Sequence, residues 1–265
     1  MFIMHAPLIG ITVDNDDTSG SPRYRCGVRY GEAVARAGGV PVMLPQVVGL
    51  AGQYAAACDG LVFTGGGDAR MEIFGESTHP EAKVIDAGRQ AFELALFAAA
   101  DARPDMPVLG VCLGMQLMGL RAGARFNQRL SETLATAEDH CGGKRHAVVL
   151  EVEETVLRGD ARGRLAAGFR DAARRAEEAS HVVVSWHRQA LVDGGRLRVV
   201  ARSADGVVEA IDDPARPFYL GVQWHPERGG DGPLNQGVFD ALVRACRPRR
   251  APQAMLVPSA LATSG

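Results

Sequence analysis

Pro107–Leu120 reads PVLGVCLGMQLMGL, and the fold turns on how this stretch is read. Pro107 to Val111 is a short apolar run with β-branched residues and a proline at its edge, the pattern of a strand buried on both faces of a parallel sheet. Met115 to Leu120 reads as the first turns of a helix. Gly110, Cys112 and Gly114 lie between them. A cysteine in that position is either a buried apolar side chain in an ordinary strand-to-helix turn or a nucleophile on a sharp elbow. Glycines on both sides let the backbone turn where a side chain would clash. The positive end of the helix favours the thiolate. The amide of Leu113, just after the sulfur, is placed for a developing oxyanion.

Upstream, strands and helices alternate. Pro7–Val13 reads as a strand, Asp14–Gly27 as a loop, Val28–Ala37 as a helix burying Val28, Ala33, Val34 and Ala37, and Val40–Leu44 as a strand. Leu50–Ala57 is a short helix, Gly60–Thr64 a strand running into Gly65-Gly66-Gly67-Asp68, and Glu81–Ala100 a long helix burying Phe92, Leu96 and Ala99. This alternation predicts an α/β domain with a parallel sheet, whose site lies at the carboxyl ends of the strands. Both Cys112 and the Gly65–Asp68 loop fall at such ends.

Downstream the pattern changes. Ala124–Leu130 reads as a short strand, Ser131–Lys144 as a loop, His146–Val152 as a strand and Arg162–Glu178 as a charged surface helix. The arginines at 158, 162, 164, 170, 174 and 175 are interleaved with acids, as on a solvated helix face. His181–Ser185, Arg196–Arg202, Val207–Asp212 and Phe218–Gln223 are closely spaced strands with glycine turns, which predicts antiparallel neighbours. Asn235–Cys246 closes the fold as an amphipathic helix. The expected organisation is one flavodoxin-like α/β domain over residues 7–247, a central mostly parallel sheet flanked by helices with extra antiparallel strands in its second half. A mobile tail is expected over 248–265.

Bulk properties narrow the function. The chain has 265 residues, with 29 basic against 31 acidic and a formal charge of −2, which points to no nucleic-acid partner. Its five cysteines form no CxxC pair, so neither a disulfide framework nor a zinc site is expected, and a reducing cytoplasm fits. MFIMHAPLIGITV has no charged leading region and is not read as a signal peptide. No run is long and apolar enough to expect a membrane span.

His225 and Glu227 stand in VQWHPE, at the end of an apolar run. On extended backbone, side chains two apart point the same way. Glu227 could then orient the His225 imidazole as a base toward Cys112, giving nucleophile, base and orienter in that chain order.

GVCLGMQ followed far downstream by GVQWHPE resembles the class I glutamine amidotransferase-like superfamily. PLIGIT, AGGVPVMLP, DGLVFTGGGD, SWHRQA and DGVVEAIDDP resemble its gamma-glutamyl-gamma-aminobutyrate hydrolase family, from about Pro7 to Cys246. The resemblance implies that Cys112 attacks a gamma-glutamyl amide carbonyl, forming a thioester, with His225 and Glu227 completing a triad. It implies an oxyanion hole from Leu113 and from Gly66 or Gly67, and substrate contacts from Gln116, Ser185, His187, Arg188 and Gln189. It implies a small gamma-glutamyl substrate and needs no metal or organic cofactor; a homodimer is left open. The alternative within the superfamily is a glutaminase subunit that delivers ammonia to a separate synthetase.

The chain departs from the hydrolase pattern at five points. Leu113 stands where an arginine is usual, His187-Arg188 where two histidines are, Met71 and Phe74 where a proline and a tyrosine are, and Gln90 where an aspartate is. The resemblance implies that these positions shape the side of the pocket that receives the leaving amine. Arg188 and Arg70 are candidates for reading a carboxylate there, because a guanidinium binds one in a fork.

Overall fold

The apolar runs become strands, and the glycine pairs after them become turns. The computed structural model describes residues 6–16, 20–151 and 181–246. In chain order the strands are β1 (Leu8–Thr12), β2 (Asp14–Asp16), β3 (Arg23–Arg25), β4 (Val40–Leu44), β5 (Gly60–Phe63), β6 (Val108–Val111), β7 (Phe126–Asn127), β8 (Lys144–Leu150), β9 (Val182–Ser185), β10 (Ala190–Leu191), β11 (Arg198–Ser203), β12 (Val208–Asp212) and β13 (Tyr219–Val222). The helices are α1 (Val28–Arg36), α2 (Ala51–Ala57), α3 (Ala87–Asp101), α4 (Leu113–Arg121) and α5 (Gln236–Ala245).

Nine strands form one sheet in the order β4-β1-β5-β6-β13-β12-β11-β8-β9. The first five pair in parallel, and the rest follow as antiparallel neighbours. This is the expected parallel core with antiparallel strands added. Strand β13 joins the halves, parallel to β6 on one edge and antiparallel to β12 on the other. Strands β5, β6 and β13 are buried along their whole length, because helices cover both faces. One apolar layer gathers Ile9, Tyr30, Val34, Trp224 and Phe239 under α1 and α5. The other gathers Phe63, Phe92, Phe97 and Met115 under α2, α3 and α4, with the Phe63 and Phe97 rings stacked 3.6 Å apart.

Several boundaries differ from the sequence reading. Helix α3 begins at Ala87 rather than Glu81: Asp86 caps it by accepting from the Arg89 amide. Residues 83–85 lie extended against Asp68, with Ile85 N–H donating to Asp68 O and Asp68 N–H to Lys83 O, both at 2.9 Å. Those hydrogen bonds leave nothing for a helix to use. Along α3, Phe92 and Leu96 are buried as expected, while Ala99 is only partly so. In α1, Val28, expected to be buried, is 75% exposed, and the buried residues are Tyr30, Ala33 and Val34. Asp14–Gly27, expected as a loop, contains the β2–β3 hairpin. Only Phe126–Asn127 of the expected Ala124–Leu130 strand pairs, with β10. The charged helix over Arg162–Glu178, its arginine face and the tail over 248–265 lie outside the described residues. Among the described residues no helix is long and apolar enough to cross a membrane.

Candidate active site

Strand β6 ends at Val111 and α4 begins at Leu113, so Cys112 alone makes the turn. Its backbone has φ 51° and ψ −104°, and it is the one non-glycine residue with positive φ among those described. Such geometry costs about 1–3 kcal/mol and persists only where surrounding contacts impose it. Here Cys112 N–H donates to Val222 O at 2.8 Å, and Gln116 N–H donates to Cys112 O at 3.0 Å. The flanking glycines let helix and strands close on the turn. A Cβ at Gly110 would come within 2.8 Å of the backbone of Gly114 and Met115, and one at Gly114 within 2.4 Å of Phe63 O. The thiol is free, buried and 4% exposed.

His225 and Glu227 follow β13, which carries them beside the end of β6. His225 Nδ1 lies 2.8 Å from Glu227 Oε1, which leaves Nε2 available to the Cys112 thiol, and both side chains close on Gly65. Burial alone would push the imidazole down. Its hydrogen bonds to Cys112 and Glu227, with their charges, outweigh burial and hold it up at about 10. The reason for the i, i+2 pairing differs from the expected one. Pro226–Arg228 form a 3-10 turn rather than extended backbone, and the turn brings the carboxylate to the ring. His225 N–H is anchored to Val184 O on β9 at 2.9 Å, and Arg228 Nε donates to Glu227 Oε1 at 3.2 Å.

The glycine loop after β5 lies over the sulfur. A Cβ at Gly65 would meet His225 Cε1 at 2.8 Å and Cys112 Cβ at 3.5 Å. One at Gly66 would meet Arg89 Nη1 at 2.6 Å and Leu113 Cδ2 at 2.9 Å, and one at Gly67 would meet Lys83 O at 2.4 Å. The amides of Gly66, Gly67 and Leu113 have no hydrogen-bond acceptor among the described residues. The loop is held from beneath by residues that sequence reasoning did not single out. Gly65 N–H donates to Tyr30 Oη at 3.0 Å. Arg89, fully buried, donates from Nη2 to Gly65 O at 3.0 Å and to Thr64 O at 3.2 Å. The same guanidinium pairs with Glu93 at 2.9 Å and with Asp14 at 3.1 Å. Arg89 and Glu93 stand i, i+4 on the same stripe of α3 as Phe92 and Leu96, and an opposite-charge pair on an otherwise apolar stripe was the available signal.

The expected substrate-contact residues divide. Arg188 and Gln189 line a cavity of about 220 Å³ together with Asp68, Lys83, Gln128 and Leu130. A second, open cleft is lined by Tyr30, Gly65, Gly66, Trp186 and His225. Gln116 is buried and braces the Gln189 backbone, its Nε2 donating to Gln189 O at 3.0 Å and to Gln223 Oε1 at 3.2 Å. Ser185 and His187 turn into the interior. Ser185 Oγ lies 2.6 Å from His146 Nε2, and His187 Nδ1 lies 3.0 Å from Gln189 O. Arg70 donates from Nε to Ile85 O at 3.0 Å. Gln90 closes a two-way bond with the Arg70 backbone, 2.8 Å in each direction.

Comparison with known proteins agrees with this architecture. Residues 7–227 match the model of the peptidase C26 family. The chain is 31% identical over 252 residues to an Escherichia coli protein named gamma-glutamyl-gamma-aminobutyrate hydrolase PuuD, covering 92% of this chain and 95% of that one. It is 36% identical over 220 residues to a Mycobacterium tuberculosis protein named "Putative glutamine amidotransferase Rv2859c", covering 82% of this chain and 66% of that one. A solved structure described as a "putative gmp synthase subunit a" protein from Thermoplasma acidophilum superposes with a TM-score of 0.56 at 17% identity, over 91% of this chain and 95% of that one, and so shares the fold. Matched over that length, the chain belongs to the peptidase C26 family of class I glutamine amidotransferase-like proteins.

Proposed function

We propose that this chain cleaves the gamma-glutamyl amide bond of a small gamma-glutamyl amine through a thioester on Cys112, releasing glutamate and the amine. The observation that carries this reading is the convergence of the Glu227–His225 pair and the strained Cys112 beneath a glycine loop with unengaged amides. The sulfur attacks the amide carbonyl carbon. The oxyanion that forms accepts hydrogen bonds from the amide of Leu113 and from Gly66 or Gly67. As the C–N bond breaks, His225 gives its proton to the departing nitrogen. Water then loses a proton to His225 and attacks the thioester, and the sulfur leaves as thiolate, restoring the starting state. Glu227 keeps the imidazole in one tautomer and balances its charge.

Arg188 and Gln189 form the wall that receives substrate, with Gln116 bracing Gln189 and with Ser185 and His187 fixing the segment from behind. The named activity of the E. coli relative supports gamma-glutamyl-gamma-aminobutyrate as the first substrate to test, and its carboxylate would suit Arg188. A reducing, cytoplasmic setting goes with a free nucleophilic thiol. Leu113 and the name of the M. tuberculosis relative favour a second reading, a glutaminase that serves a separate synthetase.

The test is glutamate release from a panel of glutamine, gamma-glutamyl-aminobutyrate, gamma-glutamyl-putrescine and gamma-glutamyl amino acids, with Cys112→Ala as blank. Preference for a gamma-glutamyl amine supports the hydrolase. Hydrolysis of glutamine alone moves the assignment to the second reading, and turnover by Cys112→Ala removes both.

A further inference from the structure

Behind the Arg188–Gln189 wall lies a cluster that the amide chemistry does not use. His140 ends a one-turn helix, His146 is on β8, His187 follows β9 and Glu209 is on β12. Four separate segments bring one ligand atom each to a common point, all within 4.8 Å of one another. Glu209 Oε1 lies 3.4 Å from His140 Nδ1, 3.5 Å from His146 Nε2 and 3.6 Å from His187 Nε2. These are not hydrogen bonds. His140 Nδ1, His187 Nε2 and both oxygens of Glu209 are buried without a hydrogen-bond partner among the described residues. His140 is 1%, His187 3% and Glu209 0% exposed. A buried carboxylate with no donor is costly unless a cation stands beside it.

We propose that His140, His146, His187 and Glu209 hold one zinc-class divalent ion in a closed tetrahedral site that braces the wall of the active site. Zinc–nitrogen and zinc–oxygen bonds of roughly 2.0–2.1 Å put ligand atoms about 3.3 Å apart at the corners of a tetrahedron, close to the 3.4–3.6 Å from Glu209 Oε1 to each imidazole. The outer shell has the matching form, in which each ligating imidazole is fixed through its other nitrogen. His140 Nε2 lies 3.0 Å from Asp205 Oδ2, and Asp205 is in turn held by the hydroxyls of Thr136 and Ser203. His187 Nδ1 lies 3.0 Å from Gln189 O, and His146 Nδ1 lies 3.2 Å from Ala147 O. Each contact favours the tautomer that turns a lone pair toward Glu209. The competing contact is Ser185 Oγ, 2.6 Å from His146 Nε2; with the ion bound, this hydroxyl rotates away.

Three imidazoles and one carboxylate select zinc over calcium or magnesium, which take oxygen ligands. Four protein ligands leave no open position, so the role is structural. The ion ties the 137–146 segment and β9 to the buried β12. Through His187 it fixes Gln189, which lines the cavity, and through β9 it fixes Val184, whose carbonyl anchors His225. The sequence points to no metal, because thiol, imidazole and main-chain amides suffice for the amide chemistry and no CxxC pair is present; the four ligands proposed here are spread over 70 positions, without a short motif.

The experiment is metal analysis of the full chain, purified without chelator and with its affinity tag removed, followed by titration of the stripped protein with Co²⁺ and Zn²⁺. The expected result is one zinc per chain, the intense visible bands of tetrahedral Co²⁺, and a melting temperature that rises with Zn²⁺. Asp205→Asn keeps all four ligands and should lower Zn²⁺ affinity about 10–100-fold, while Ser185→Ala should not lower it. Glu209→Gln, if folded, should lose the cobalt bands. A chain that retains no stoichiometric metal and shows no tetrahedral Co²⁺ spectrum overturns the proposal. So does an unchanged affinity in Asp205→Asn, or an unchanged spectrum in folded Glu209→Gln. None of these readouts depends on which amide the enzyme cleaves.

Discussion

His225 Nδ1 stands 2.8 Å from Glu227 Oε1, and both groups are buried, 7% and 6% exposed. A carboxylate withdrawn from water beside an imidazole favours the imidazolium, so the proton needed by the leaving amine is already on the ring. Because His225 is raised from 6.5 to about 10, its stabilising contribution is fully present below about pH 6.5 and is lost as pH rises through about 10. The upper limb of kcat/KM should therefore fall near pH 10 in the native enzyme and move toward neutrality in Glu227→Gln. A pH–rate profile of the two proteins checks this; identical upper limbs would remove Glu227 from its supporting role.

Cys112 separates chemistry from strain. Cys112→Ala should abolish glutamate release while its circular dichroism stays native. Cys112→Gly should be equally inactive yet more stable than Cys112→Ala by about 1 kcal/mol, since glycine adopts positive φ without the Cβ penalty. Urea denaturation of the two variants measures the difference. Equal midpoints would mean that the turn stores no strain.

Arg89 supports the glycine loop through a buried network. Arg89→Met leaves the buried Glu93 without its cation and Asp14 with Arg25 alone, and should destabilise by about 3–5 kcal/mol. Arg89→Lys keeps the charge but cannot reach Glu93, Asp14 and the Gly65 carbonyl together. It should remain folded while losing about 10²-fold in kcat, the scale expected when a reacting group shifts by an ångström. Native turnover by folded Arg89→Lys would show that the loop is positioned without it.

Arg188 is exposed at the rim of the cavity. Arg188→Ala should raise KM for gamma-glutamyl-aminobutyrate, which carries a carboxylate on its leaving amine, and leave KM for glutamine unchanged. Steady-state kinetics on both substrates decide it; an equal rise in both would assign Arg188 to wall packing.

The fold was largely legible. The β6–α4 elbow, the strand order of motifs and the antiparallel second half follow from apolar runs and glycine turns, which act over a few residues. The limits of the reading are equally physical. Helix α3 starts six residues later than its pattern predicts, because nothing local announces that residues 83–85 bond back to Asp68. Tyr30 and Arg89 escaped notice because their partners, Gly65 and Asp14, are distant in sequence. The resemblance implies substrate contacts for Ser185 and His187, and what their side chains meet in the fold is His146 and Glu209, from strands distant in sequence.

The sequence by itself determined that a cysteine would sit on a strand-to-helix turn, with a histidine and a glutamate at the end of a later strand. Periodicity and turn chemistry are local and need no partner. Only the tertiary structure decided that β13 lies in register beside β6 and brings His225 to Cys112, that Arg89 holds the loop above them, and that three histidines and Glu209 converge behind the wall. Those outcomes depend on burial and on pairing between strands far apart in the chain, where desolvation and hydrogen bonding are settled only when the whole sheet is assembled.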